Sequence, residues 1–190
     1  MKFPRFSAGS ALALLGLLMV AVPTAQAWTG MGPKWPTNTN KYDKSGLPSN
    51  WQSVADYSAQ QWTNVSPSPF TWTSDGASNN DLVRGNIDGG GRTLATTTIY
   101  YSGTRITRFV MKFDTSENWY LGSGSPASNQ VDGRSVGTHE FGHAHGQGHA
   151  QTQYCSGSGS ATLCPYYTMG STWARSLETD DRNGINTLYP

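Results

Sequence analysis

Charged side chains are scarce in this chain, at 13% of 190 residues, and they nearly cancel, with 13 Lys and Arg against 12 Asp and Glu. That balance removes the basic surface a nucleic-acid partner requires, so no nucleic acid is expected among its partners. Cysteine is limited to Cys155 and Cys164. Neither has a second cysteine at short spacing, which argues against a cysteine-ligated zinc site and, in an exported protein, for one disulfide between the two. Long apolar runs are missing except at 11–22, and that run falls short of the roughly 20 residues a spanning helix needs. No internal repeat or heptad pattern is present, and histidine occurs four times, all between positions 139 and 149.

The apolar run reads instead as an export signal. Lys2 and Arg5 precede it, and Ala25 and Ala27 flank Gln26 after it, the layout of a secretory signal peptide cleaved after Ala27. Residues 1–27 are therefore expected to be a signal peptide, and residues 28–190 one domain with a single core and no membrane span. The abundance of Gly, Ser, Thr and Asn in that remainder fits a loop-rich, secreted, extracellular protein.

Ser49 with Gln52 forms a capping-box pattern, and Trp51, Val54, Ala55, Ser58, Trp62 and Val65 recur at helical spacing, predicting an amphipathic helix over 50–64 that stops before Pro67. The period then changes to two. Strands are expected at 70–73, 81–86, 94–101 and 106–114, where Thr, Ile, Tyr, Phe and Val dominate. In the last of these Thr107, Phe109, Met111 and Phe113 share one face and Arg108 and Lys112 the other, so one side meets a core. A second helix is expected over 131–144, although Gly133, Gly137 and Gly142 each cost about 1 kcal/mol relative to Ala and something beyond propensity must hold it. A final helix lies within 177–189, with Thr179 as N-cap, Asp180 and Asp181 in its first turn, and Ile185, Leu188 and Tyr189 as an apolar stripe.

Residues 139–149 read His-Glu-Phe-Gly-His-Ala-His-Gly-Gln-Gly-His. His139 and His143 are four apart, so on a helix both imidazoles leave one face and can chelate one zinc ion. Glu140 adjoins the first of them, placed to reach a water on that ion without ligating it. Gly146 can take a left-handed conformation that ends the helix and returns the chain, bringing His149 to the same metal. Three protein ligands leave a fourth position open, the mark of a catalytic zinc, which lowers the pKa of bound water toward about 7 and polarises a carbonyl. Glu140 is the expected general base, taking the water's proton and delivering it to a leaving amine. A lone His-Glu-x-x-His pair would leave open a closed zinc site or a merely polar helix face. His145 points to a different helical face and reads as a surface residue or a support for the ligands, not as a ligand.

The pattern HExxHxxGxxH, followed by Tyr167-Thr168-Met169-Gly170, resembles the signature of the metzincin metallopeptidases, in which a methionine-bearing turn follows the third histidine; Met169 would be that methionine. The closing Leu177-Glu178-Thr179-Asp180-Asp181-Arg182-Asn183-Gly184-Ile185-Asn186-Thr187-Leu188-Tyr189 resembles the C-terminal helix of the matrixins. The resemblance implies an α+β metzincin (zincin-like) fold, a twisted mixed sheet over two long helices with a further C-terminal helix. It also implies a zinc-dependent endopeptidase acting on a protein or peptide substrate. The edge strand over the cleft, here 94–101 with Thr96, Thr97 and Thr98 at its middle, would take up an extended peptide by strand addition.

The resemblance places the specificity pocket between Ser135 and Val136 and the segment after Met169, where Gly170-Ser171-Thr172-Trp173 departs from the family's Pro-x-Tyr wall. Asp88 with its glycine run, and Asp114 with Glu117, resemble in spacing the family's calcium segments, the alternative being an ordinary glycine turn and solvated acids. The family's structural zinc is expected to be missing because all four histidines sit in one motif, and a cysteine latency segment because few residues follow Ala27 before the domain. Ser171, two residues after Met169, removes the tyrosine that some metzincins use as an extra ligand. A monomer is expected, since no long apolar surface run remains. The competing reading is a zinc-binding module of the same fold without turnover; the presence of Glu140 favours the enzyme.

Overall fold

In the computed structural model, which describes residues 28–155 and 160–190, the chain runs β1 (Thr29–Gly30), β2 (Thr39–Tyr42), α1 (Ser49–Thr63), β3 (Thr71–Ser74), β4 (Asp81–Gly85), β5 (Ala95–Ser102), β6 (Arg105–Asp114), β7 (Trp119–Tyr120), β8 (Val131–Asp132), α2 (Gly133–Ala144), β9 (Gln147–Gly148) and α3 (Thr179–Leu188). The expected signal segment, 1–27, lies outside the described residues. β2 pairs with β3 and β4 with β6 in parallel, while β5 pairs with β6 antiparallel. A bridge between Asp43 and Asp81 joins the two groups into one mixed sheet, ordered β3-β2-β4-β6-β5. β5 is an edge, paired on one side among the described residues.

In β6, Phe109, Met111 and Phe113 are buried as their spacing predicts, but Thr107 is exposed and Ile106 is buried in its place. The register slips at that point, with Tyr100 opposite Arg108 and Tyr101 opposite Ile106. Thr107 is the extra residue of a bulge, which reverses the alternation toward the β5–β6 turn.

Helix α1 buries Trp51, Val54, Ala55, Ser58, Ala59 and Trp62. Its predicted capping box does not form. Ser49 is already helical, Pro48 occupies the cap position with no side-chain acceptor to offer, and Gln52 Nε2 donates to Leu47 O at 3.4 Å. Helix α2 starts later than expected, because Val131 and Asp132 pair with β7 and the Asp132 carboxylate caps the helix, accepting from Ser135 N at 2.9 Å and Ser135 Oγ at 2.8 Å.

The glycines of α2 carry its packing. A Cβ on Gly137 would stand 2.5 Å from Ser58 Oγ, and one on Gly142 would stand 2.6 Å from Leu163 and 2.8 Å from Trp62. Their absence of side chain lets α1 and the segment around Leu163 approach α2, and Trp62 Nε1 donates to Thr138 O across that contact at 2.8 Å. Glu178, not Thr179, is the N-cap of α3, because Asp181 turns back to accept from Glu178 N at 2.9 Å. Cys155 and Cys164 form the expected disulfide.

Candidate active site

Helix α2 projects His139 and His143 from one face, and the chain then turns at Gly146, whose φ is +103° and which has no room for a Cβ against Pro33 O. β9 carries the chain back along β1. Thr29 Oγ1 donates to His149 O at 2.8 Å, and Met31 N to Gly146 O at 2.9 Å, so the return to His149 is pinned from the N-terminal side. One ring nitrogen from each of His139, His143 and His149 lies within 4.8 Å of the others.

His139 Nδ1 lies 2.8 Å from Thr162 O, and His143 Nδ1 lies 2.8 Å from Gln147 O. A carbonyl oxygen only accepts, so Nδ1 carries the proton in both rings and Nε2 presents a lone pair. Those two Nε2 atoms are 3.0 Å apart. Neither has a proton to give the other, and two facing lone pairs at that distance call for a cation between them. Burial holds His139 well below its usual pKa, with His143 adding to the effect, and burial lowers His143 and His149 as well. Three neutral imidazoles, two of them oriented through Nδ1 by backbone carbonyls, suit zinc.

Glu140 is 5% exposed, and its Oε2 accepts from Thr97 Oγ1 at 2.6 Å. Burial lifts its carboxyl to about 7, against the pull of that hydrogen bond. His139, Glu140 and His149 open onto a pocket of about 600 Å³ walled by Leu94, Val136, Tyr166, Tyr167, Met169 and Trp173.

Not every residue expected at the site stands where the sequence pattern put it. Met169 is 42% exposed on the pocket wall. The segment backing the histidines is Thr162-Leu163: the Thr162 carbonyl accepts from His139, the Leu163 carbonyl accepts from Ala150 N at 2.9 Å, and the Leu163 side chain is fully buried against α2. The Pro-x-Tyr wall is likewise present, as Pro165-Tyr166-Tyr167, ahead of Met169 in the chain and not after it. Tyr167 Oη accepts from Asp132 N at 2.9 Å and donates to Ser171 O at 2.7 Å, tying that wall to the start of α2. The Pro-Tyr-Tyr sequence at 165–167 is the signal that marks this wall.

His145 is fully buried, not at the surface, with its ring 4.4 Å from Trp62 and 5.6 Å from Phe70, and it lies outside the histidine triad. Asp88, Asp114 and Glu117 are not gathered as a calcium set. Asp114 accepts from Ile87 N, Asp88 N and Ser116 N at 3.0, 3.2 and 2.7 Å, Glu117 accepts from Gly91 N at 2.6 Å, and Asp88 accepts from Thr93 N and Oγ1 at 3.2 and 2.7 Å. Their oxygens shape the loop leading into β5, and calcium finds no support here. Thr97 is opposite the buried Met111 and so faces α2, whereas Thr96 and Thr98 belong to the other face of β5. The contact of Thr97 with Glu140 had no signal in the sequence.

A mixed sheet whose edge strand overlies a cleft floored by a histidine-bearing helix is the metzincin arrangement, and with it the class of zinc metallopeptidases. The sequence profile of the matrixins matches residues 49–190, and the chain belongs to that family. Matrix metalloproteinase-25 of Mus musculus is 34% identical over 105 residues, a match covering 54% of this chain and 15% of that relative. This chain therefore corresponds to a small part of the longer protein. Among the described residues, no helix is long and apolar enough to cross a membrane.

Proposed function

We propose that the chain is a secreted zinc endopeptidase, with His139, His143 and His149 holding the metal and Glu140 as general base. The observation that carries this reading is the pair of Nε2 lone pairs 3.0 Å apart, their rings' Nδ1 protons committed to Thr162 and Gln147, beside the pocket that Glu140 also enters. Zinc bound there supplies Lewis acidity, polarising a substrate carbonyl and lowering the pKa of water toward about 7. Glu140 keeps Oε2 on Thr97 and uses its other carboxylate oxygen to take the proton of the attacking water, then releases it to the leaving amine. In the metal-free site burial lifts the Glu140 carboxyl to about 7, and a carboxyl raised toward neutral pH is suited to moving a proton in both directions.

The free side of β5 offers backbone N–H and C=O groups to an extended peptide, which fixes the scissile bond relative to Glu140. The apolar wall formed by Leu94, Val136 and Tyr167 receives one substrate side chain. Residues 1–27 act as the export signal and residues 28–190 as the catalytic domain, active as a monomer outside the cell, where the disulfide persists.

The whole chain expressed in a secreting host is expected to appear in the medium beginning at Trp28, read by N-terminal sequencing. That protein is expected to hydrolyse casein. Glu140→Ala lowers kcat by about 10²- to 10⁴-fold, the usual worth of a general base, and a chelator abolishes activity that zinc restores. A folded, zinc-loaded wild type with no activity would favour the binding module without turnover.

A further inference from the structure

We infer that Thr97 positions the Glu140 carboxylate, so that the strand expected to take up the peptide also sets the base that acts on it. The inference rests on the reading of Glu140 as general base. Thr97 Oγ1 lies 2.6 Å from Glu140 Oε2 and 3.2 Å from Glu140 O. A hydroxyl has one proton to donate, and the shorter contact to a carboxylate takes it, since a charged acceptor makes the stronger bond. The main-chain oxygen lies on the same side, so the hydroxyl sits against both the backbone and the side chain of one residue.

The sheet fixes which way this hydroxyl points. Thr97 is opposite Met111 in the antiparallel ladder, and Met111 is fully buried, so their shared face is the one toward α2. Thr96 and Thr98, opposite Lys112 and Val110, belong to the other face. Of the three consecutive threonines, only the middle one meets the base. With Oε2 held by Thr97, the carboxylate cannot rotate freely to exchange its two oxygens, and the remaining oxygen is the one presented to the pocket. When Glu140 accepts a proton on that oxygen, Oε2 becomes the carbonyl oxygen of a carboxylic acid and still accepts from Thr97, so the contact persists through both protonation states. A peptide pairing along the free side of β5 stiffens the strand that carries the hydroxyl, and thereby the base.

Thr97→Val removes the hydroxyl while keeping volume and β-branching, and Thr97→Ser restores the hydroxyl alone. With a fixed peptide substrate, Thr97→Val is expected to lower kcat by about 10- to 100-fold, the kinetic equivalent of one charge-assisted hydrogen bond. KM is expected to stay within about twofold, and Thr97→Ser to recover most of the loss. Crystal structures of the three zinc-loaded proteins are expected to show the carboxylate in one place in the wild type and the Ser variant, and turned away in the Val variant. A Val variant with wild-type kcat, with a change in KM alone, or with an unmoved carboxylate overturns the inference. If the wild type hydrolyses nothing, the proposed function fails and the crystal structures decide the role of Thr97 by themselves.

Discussion

Asp132 is wholly buried, and four hydrogen bonds keep its charge tolerable there. Arg175 gives two of them, from Nε at 2.9 Å and Nη2 at 2.6 Å, and Ser135 gives the others from N and Oγ. The same guanidinium donates to Ser123 O at 2.7 Å and Gly124 O at 2.8 Å, so one side chain binds the start of α2 to the loop beside it. Removing Arg175 leaves an uncompensated buried carboxylate. Arg175→Met is expected to destabilise the protein by about 3–5 kcal/mol in urea unfolding, and the double variant Arg175→Met, Asp132→Asn by distinctly less, because the stranded charge is then gone. None of this was legible in the sequence, where Asp132 and Arg175 stand 43 positions apart. The histidine triad and the adjoining Glu140 were legible, because their spacing is set by one helical turn and one glycine reversal, both local.

At the scale of elements, hydrophobic period found α1, β3 to β6 and α3 to within a residue or two, since each buries one face and the burial imposes the period. It failed where a single contact decides the geometry: the Thr107 bulge, the Asp132 cap that delays α2, and the loop after His149. That loop has no period, so nothing in its sequence marks Thr162-Leu163 as the segment that stands behind the histidines. The glycines of α2 looked like defects for the same reason. Their value lies in the neighbours they admit, which propensity does not see. Gly137→Ala and Gly142→Ala each improve helix propensity by about 1 kcal/mol, yet both are expected to lose stability by about 1–3 kcal/mol net through overpacking. Adding Ser58→Gly to Gly137→Ala is expected to restore part of the thermal midpoint, because Ser58 Oγ is the atom in the way. It is not expected to help Gly142→Ala, which meets Leu163 and Trp62 instead.

For the molecule as a whole, Asp181 links the C-terminal helix to the site. Its carboxylate accepts from Thr162 N at 2.8 Å, and the carbonyl of that same Thr162 orients His139. Burial lifts the Asp181 carboxyl from 3.8 to about 6, against the opposing pull of the backbone N–H groups of Thr162, Glu178 and Leu163. A raised acid binds its proton more tightly folded than unfolded. Its contribution to stability is therefore fully present below pH 3.8 and lost as pH rises through about 6. Thermal melts of the wild type and Asp181→Asn across that window are expected to diverge, the wild type alone losing a contribution of up to about 3 kcal/mol between its ends. His145, held down to about 4 by burial, titrates with the opposite sign, and the difference between the two proteins removes it from the comparison.

β1 is two residues long, pairs with the segment that returns to His149, and sends the Thr29 hydroxyl onto the His149 carbonyl. With cleavage after Ala27 as proposed, the residue exposed at the new amino terminus is Trp28, directly before that strand. On that proposal export processing works as a ruler laid against the histidine triad. A cut at Ala27 leaves the tether of the third histidine whole, whereas a cut only a few residues further in yields a chain of nearly the same length, charge and core whose third histidine has lost its hold from the N-terminal side.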